Sequence, residues 1–155
     1  MRGIDLAAAL GSPTARCDPG TVNLDDPALT ISSYKTLVSY GKSKGVGIIV
    51  ENHGGGISQH IEVLVKILQA SGAGALPDIG KFPDDETRER GMRLMFPLAS
   101  GICHVRLTPG NVTLARCVQI SKEAGFRGVY SVEADGKGDP YQAVQQVLDA
   151  LEECL

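Results

Sequence analysis

The sequence lacks any pair of cysteines in CxxC spacing, although it contains four cysteines in 155 residues. Three of them fall within apolar strand or helix patterns, so a disulfide framework is not expected. We expect reduced, buried thiols in a cytoplasmic protein. Long apolar runs are missing too, and none approaches the length of a membrane span. The pattern therefore predicts no membrane-spanning segment.

An excess of basic charge is also absent. The chain has 15 lysine and arginine residues against 18 aspartate and glutamate residues, a net charge of −3, and its pI is near 5.6. A nucleic-acid-binding face, or a face for anionic membranes, would need a basic balance, so neither partner is expected. Glycine is abundant instead, with 19 residues that fall mostly where strands would meet helices.

Five apolar segments alternate along the chain with amphipathic helical patterns. The predicted strands occupy residues 14–17, 47–51, 73–79, 102–107 and 129–133. The predicted helices occupy residues 4–10, 28–44, 58–70, 84–98, 111–124 and 140–155. This regular alternation predicts an α/β fold in which right-handed βα units form a parallel sheet.

The second predicted strand carries the most informative segment, GIIVENHGGG at residues 47–56. Its apolar run predicts a strand buried on both faces. The strand ends in Glu51, Asn52 and His53, at the end where α/β enzymes place their chemistry. A buried Glu51 held by a neighbouring cation is the structural alternative. The glycines at 54–56 could hold phosphate ahead of a helix, although no GK[ST] ending follows.

Polar residues also end the three strands that follow. Glu51, Asp78, His104 and Glu133 are separated by 27, 26 and 29 residues, about one βα unit each. Consecutive parallel strands would therefore bring two glutamates, one aspartate and one histidine to the same rim. Three carboxylates this close need a cation between them. The oxygen-rich set suits Mn²⁺, Mg²⁺ or Co²⁺ better than a structural zinc, which prefers thiolates and imidazoles.

Five motifs contain these residues and the strand before them. They are LAAALGSPTARCDPG (6–20), VENHGG (50–55), LPDIGKF (76–82), CHVRL (103–107) and AGFRGVYSVEADGKGDP (124–140). Together they resemble the xylose-isomerase-like TIM barrels, a group of sugar isomerases and epimerases that also includes the family 2 AP endonucleases. In that family the motifs correspond, in order, to the third helix with the fourth strand, and then to the fifth, sixth, seventh and eighth strands.

The resemblance implies that Glu51, Asp78, His104 and Glu133 hold a divalent metal. It also implies a sugar or keto-acid isomerase or epimerase that transfers a proton through an enediolate. Glu51 and Glu133 would double as ligands and as the acid/base pair. Two alternatives remain: a metal phosphodiesterase of the AP endonuclease type, and a catalytically silent barrel fragment that needs a partner. The first of these usually has more histidine ligands and a basic DNA-binding face.

Three positions depart from the family motifs. Lys81 stands where the family has Asn or His, Arg106 stands for the usual Lys, and Leu107 stands for Asp. Because these positions line the family's substrate pocket, the resemblance implies substrate-binding roles for Lys81 and Arg106. It implies the same role for His53, which follows the implied metal ligand Glu51 in the VENHGG motif. The structural alternatives are a solvated loop lysine at Lys81 and a hydrogen bond from His53 to a neighbouring loop.

Residues 1–155 are expected to form a single domain that matches helix 3 to helix 8 of a TIM barrel. The expected fold is a partial (β/α)₈ barrel with about five parallel strands and flanking helices. Two strand edges would be unpaired. An apolar inner face, built by Ile48, Val50, Val105 and Val132 or their alternates, would be open. We therefore expect a homo-oligomer, or a barrel completed by an absent amino-terminal half.

Overall fold

The structure, a computed structural model, describes residues 1–53, 56–134 and 138–155. Two glycines of the VENHGG motif and three residues of the last-strand motif lie outside these ranges, as does most of the glycine turn considered for phosphate binding. The strands are β1 (Thr14–Arg16), β2 (Gly47–Glu51), β3 (Gly74–Leu76), β4 (Ile102–Val105) and β5 (Val129–Val132). The α-helices are α1 (Arg2–Ala9), α2 (Ala28–Ser43), α3 (Gly56–Gln59), α4 (Ile61–Ser71), α5 (Asp85–Met95), α6 (Leu114–Glu123) and α7 (Pro140–Glu152).

The predicted helix at residues 58–70 is in fact two helices. His60 leaves the helical region of the backbone, with φ −118° and ψ 55°, and separates α3 from α4. The carbonyl of His60 accepts hydrogen bonds from the backbone N–H groups of Val63 and Leu64 at 3.0 and 3.2 Å. His60 is therefore the N-cap residue of α4. The break lets α4 lie along the sheet with Ile61 and Leu64 fully buried.

Folding follows the predicted parallel topology. β1, β2 and β3 pair in sequence order, and β4 pairs with β5. A less regular junction, consisting of isolated bridges, joins β3 to β4. The order of strands and the helices that follow them are those of a partial TIM barrel.

The β3–β4 junction is irregular because the two segments differ in length. Ala75 bridges Ala99, and the next bridge joins Asp78 to His104, so the β4 side contains a bulge of two extra residues. Pro77 lies between the two bridges and has no N–H to donate, while its carbonyl accepts from the His104 N–H at 2.8 Å. The bulge places His104 directly beside Asp78.

The inner face of the sheet is formed by the alternates of the residues named from the sequence. Ile48, Val50, Val105 and Val132, which the sequence offered as one possible inner face, pack in the hydrophobic core between the sheet and the helices. Because side chains alternate along a strand, Ile49 shares the inner face with Glu51. Val129 precedes Glu133 by four residues and shares that face on the edge strand β5, where it is 64% exposed.

Apolar side chains are exposed at both ends of the strand order. Leu6 in α1 and Leu10 just after it are exposed beside β1, and Tyr141 and Leu148 in α7 are exposed beside β5. Within the described part of the chain, β1 pairs only with β2 and β5 only with β4. In a closed barrel these positions would contact further βα units. Among the described helices, none has the length and apolar character to cross a membrane.

We expect the 155-residue chain to self-associate, because each Å² of apolar surface covered contributes roughly 25 cal/mol. Sedimentation should show a mass that grows with protein concentration. Val129→Glu should shift the distribution towards the monomer, because it places a charge at an exposed apolar position of the edge strand β5. Leu29→Glu, at an 81% exposed position on α2, is the matched control and should leave the mass unchanged. A compact wild-type monomer with one sharp unfolding transition would contradict this expectation.

Candidate metal centre

Glu51 is the most deeply enclosed member of the candidate site. It ends β2, which has a partner strand on each side, and only 1% of its side chain is exposed. Its Oε1 atom lies 3.0 Å from Nδ1 of His104, and its Oε2 atom forms an ion pair with the guanidinium of Arg16. Burial alone would raise the pKa of Glu51, but the hydrogen bond from His104 and the charge of Arg16 outweigh it and lower the pKa.

Asn52 fixes the next strand end relative to Glu51. Its side-chain Nδ2 donates to the backbone carbonyl of Asp78 at 2.9 Å, and its Oδ1 accepts from the backbone N–H of Asp78 at 2.7 Å. These two hydrogen bonds extend the pairing of β2 and β3 beyond their last ladder pair, Glu51 with Leu76. The backbone of Asp78 is therefore fixed by an amide that is itself completely buried.

The Asp78 carboxylate is fully buried, and each of its oxygens accepts a hydrogen bond. Oδ1 accepts from the backbone N–H of Gly80 at 2.8 Å, and Oδ2 accepts from Nη2 of Arg106 at 2.7 Å. Burial raises the pKa of Asp78, and these bonds only partly oppose that effect. Gly80 is required here because a Cβ at that position would collide with the Arg106 side chain.

His104 lies between two carboxylates. Nδ1 of His104 is 3.0 Å from Oε1 of Glu51 and 3.4 Å from Oε1 of Glu133. The hydrogen bond to Glu51 raises the pKa of His104, and the nearby negative charges add to this effect against the opposing effect of burial. Glu133 is the accessible member of the group, with 42% of its side chain exposed, and its Oε2 accepts from Nη2 of Arg106.

The four residues predicted to share one rim lie together in the structure. One donor atom from each of Glu51, Asp78, His104 and Glu133 lies within 4.8 Å of the other three. A divalent ion with metal–ligand bonds of about 2.1 Å places opposite ligands about 4.2 Å apart, so this group is close to the required size. Three carboxylate oxygens and one imidazole nitrogen fit Mn²⁺ or Mg²⁺. The structure thus contains a possible site for a divalent ion.

The three residues predicted to bind substrate occupy different surroundings. His53 is 55% exposed, with Nδ1 3.5 Å from Oε2 of Glu51. Lys81 is half-buried, and its backbone N–H donates to the carbonyl of Asp78 at 3.4 Å. Arg106 is only 6% exposed and contacts the carboxylates of Asp78 and Glu133. Substrate binding by these residues stays a prediction.

Two arginines near the site were missed from the sequence. Arg16 ends β1 and pairs with both Glu51 and Asp18, with its Nη2 2.7 Å from Oδ2 of Asp18. Arg88 of α5 is 4% exposed, and its Nε donates to the carbonyl of Ile79 at 3.0 Å. The sequence signal for Arg16 is a cation at the end of the first strand, but that position alone does not distinguish a buried partner from solvent.

Comparison with known proteins agrees with this fold. No protein-family model matches the sequence, and no curated protein matches it. Solved structures do match. A xylose isomerase domain protein from Planctomyces limnophilus superposes with a TM-score of 0.77 at 15% identity, over 97% of this chain and 61% of its own.

Two further structures have the same fold. A xylose isomerase-like TIM barrel protein from Mycobacterium smegmatis, in complex with magnesium, gives a TM-score of 0.67 at 17% identity over 98% of this chain. A xylose isomerase domain-containing protein from Salmonella typhimurium gives 0.65 at 13% identity over 97% of this chain. The chain spans 65% and 66% of their lengths. It therefore has the fold of the xylose isomerase-like TIM barrels over about two thirds of a barrel.

We expect Asn52→Leu to destabilise the protein by at least about 1–3 kcal/mol, the cost of leaving one buried polar group unpaired. The substitution is close in volume but leaves the buried N–H of Asp78 without a partner, and it leaves the Asp78 carbonyl with only the 3.4 Å bond from the N–H of Lys81. Urea denaturation measures the change. Asn111→Leu, at an exposed position, is the control and should cost little. Wild-type stability in Asn52→Leu would show that the two hydrogen bonds from Asn52 to the Asp78 backbone contribute little to stability.

A second expectation concerns pH in chelator-treated protein. The pKa of His104 is raised above its usual 6.5. Protonated His104 therefore stabilises the folded state fully below pH 6.5, and this stabilisation is lost as the pH rises through the folded-state pKa of His104. The free energy of unfolding should fall between pH 6.5 and that pKa. His104→Gln should remove this fall, whereas His60→Gln, at an exposed position, should keep it. The same fall in His104→Gln would assign it to another group.

Proposed function

We propose that this chain carries the metal-binding and proton-transfer portion of a divalent-metal-dependent isomerase or epimerase that acts on a sugar or a keto acid. The observation that supports the proposal is the group of four donor atoms within 4.8 Å of one another at the carboxyl ends of the strands. The fold shared with the xylose isomerase-like barrels, one of them a magnesium complex, agrees with it.

In this proposal Glu51, Asp78, His104 and Glu133 hold the ion. The bound ion would supply Lewis-acid polarisation of a substrate carbonyl. Asp78 is suited to binding the ion and not to transferring a proton, because it is completely buried and both of its oxygens already accept hydrogen bonds. His104 is likewise enclosed, at 14% exposure, between two carboxylates.

Proton transfer requires a carboxylate that substrate can reach. Glu133 is 42% exposed while Glu51 is 1% exposed, so Glu133 has the better access. We assign it the removal of a proton from the substrate carbon that leads to the enediolate. Glu51 is the second acid/base group and touches the exposed imidazole of His53, whose Nδ1 lies 3.5 Å from its Oε2. His53 could link that carboxylate to substrate or solvent.

We expect Glu133→Gln to lower proton exchange between substrate and solvent deuterium by at least about 10²-fold, the usual cost of removing an acid/base group. The assay uses protein with Mn²⁺ and a panel of ketoses and keto acids, followed by NMR. Glu153→Gln, at an exposed position near the end of α7, is the matched control and should exchange at the wild-type rate.

Two other outcomes are informative. Exchange at the wild-type rate in Glu133→Gln would move the base elsewhere, with His53 the next group to test. An absence of exchange in the wild type, across the panel, would contradict catalysis by this chain alone.

A further inference from the structure

One atom of Arg106 contacts two of the four candidate ligands. Its Nη2 donates to Oδ2 of Asp78 at 2.7 Å and also to Oε2 of Glu133. A divalent ion held by this group would need the negative charge of the same two carboxylates. The guanidinium is always protonated in proteins, so it cannot give way by losing its charge. Arg106 and the ion therefore compete for the same carboxylates.

Arg106 is built into this position. It follows β4, is 6% exposed, and its side chain packs over Gly80, where any larger residue would displace it. Removing it would be expected to leave its partner Asp78 in place. The backbone of Asp78 is held by the two bonds to Asn52, and its Oδ1 is held by the N–H of Gly80.

Glu133 also has supports besides Arg106. Its backbone N–H donates to the carbonyl of Val105 at 2.9 Å, which continues the pairing of β4 and β5. Its Oε1 lies 3.4 Å from Nδ1 of His104. Loss of the guanidinium would thus leave the ligands near their positions while adding one unit of negative charge to the site. At short range in a buried site, such a charge has a large effect on a divalent ion.

We propose that Arg106 is a built-in competitor of the metal: its charge compensates the carboxylates of Asp78 and Glu133 when no ion is bound, and it lowers the affinity of the site for a divalent ion. The inference rests on the metal site of the proposed function but not on its catalysis. It gives Arg106 a role toward the ion in addition to the substrate-binding role that the sequence motif implies.

The test is a Mn²⁺ titration followed by calorimetry and by the EPR signal of free Mn²⁺. Arg106→Met should bind Mn²⁺ at least about tenfold more tightly than the wild type, because one competing charge is removed. In chelator its melting temperature should be lower than that of the wild type, and Mn²⁺ should restore it by a larger shift. Arg93→Met is the matched control, since Arg93 pairs only with Glu89 and Glu123 on the surface among the described contacts, and its Mn²⁺ affinity should equal that of the wild type.

A second variant covers the case in which Arg106→Met does not fold. Arg106→Lys keeps the charge, but its single, strongly hydrated ammonium cannot reproduce the guanidinium geometry, so it should also bind Mn²⁺ more tightly than the wild type, by a smaller factor. Unchanged or weaker Mn²⁺ binding in the folded variants, with binding in the wild type, would overturn the role of Arg106 and leave the metal site standing. An absence of Mn²⁺ binding in the wild type and in every folded variant would overturn both the metal site and this inference.

Discussion

The compensation of buried carboxylates is the constraint on which this structure depends. Glu51 and Asp78 are almost entirely removed from water, and a third carboxylate, Glu133, lies beside them. Burying an ionised carboxylate without a partner costs several kcal/mol, so each must be paired. Arg16 and Arg106 supply two positive charges by ion pairs, and His104 lies between the two glutamates.

These pairings also determine how the strand ends are joined. The ladder of β2 and β3 stops at Leu76, yet the Asn52 side chain carries the pairing on to Asp78. Two residues inserted on the β4 side then bring His104 level with Asp78. The irregular steps in the sheet thus coincide with the residues that carry charge. A regular ladder continued from the Ala75–Ala99 bridge would place Ile102, and not His104, opposite Asp78.

The fold was largely predictable from the sequence because its signals are local and repeated. Apolar strands followed by amphipathic helices define each βα unit, and the spacing from Glu51 to Glu133 follows from the length of those units. The spacing could not show Arg16 against Glu51, since a cation at the end of a three-residue strand is compatible with solvent as well as with a partner. Nor could it show the hydrogen bonds of Asn52, whose partner is a backbone 26 residues away.

The inner face shows the limit of pattern reading most directly. A run such as Ile48–Val50, in which every residue is buried, has no polar alternation to say which residues point inward. Glu51 resolves the ambiguity once its partners are known: because it faces the site, Ile49 faces the same way and Ile48 and Val50 face the helices. The position of Glu51 therefore determines which face of the sheet each apolar residue before it occupies.

The arrangement also explains why a partial barrel can bring the four candidate ligands together. Glu51 and His104 lie in β2 and β4, Asp78 and Glu133 come just after β3 and β5, and β1 adds Arg16 beside Glu51. The four donor atoms meet without a residue from any strand beyond this chain. What the five strands do not provide is enclosure on the β5 side, where Glu133 is 42% exposed and Val129 is 64% exposed. Proton transfer at carbon benefits from a site that excludes water. A cover over that side would therefore matter more for the proton transfer proposed for Glu133 than for bringing the four donor atoms together.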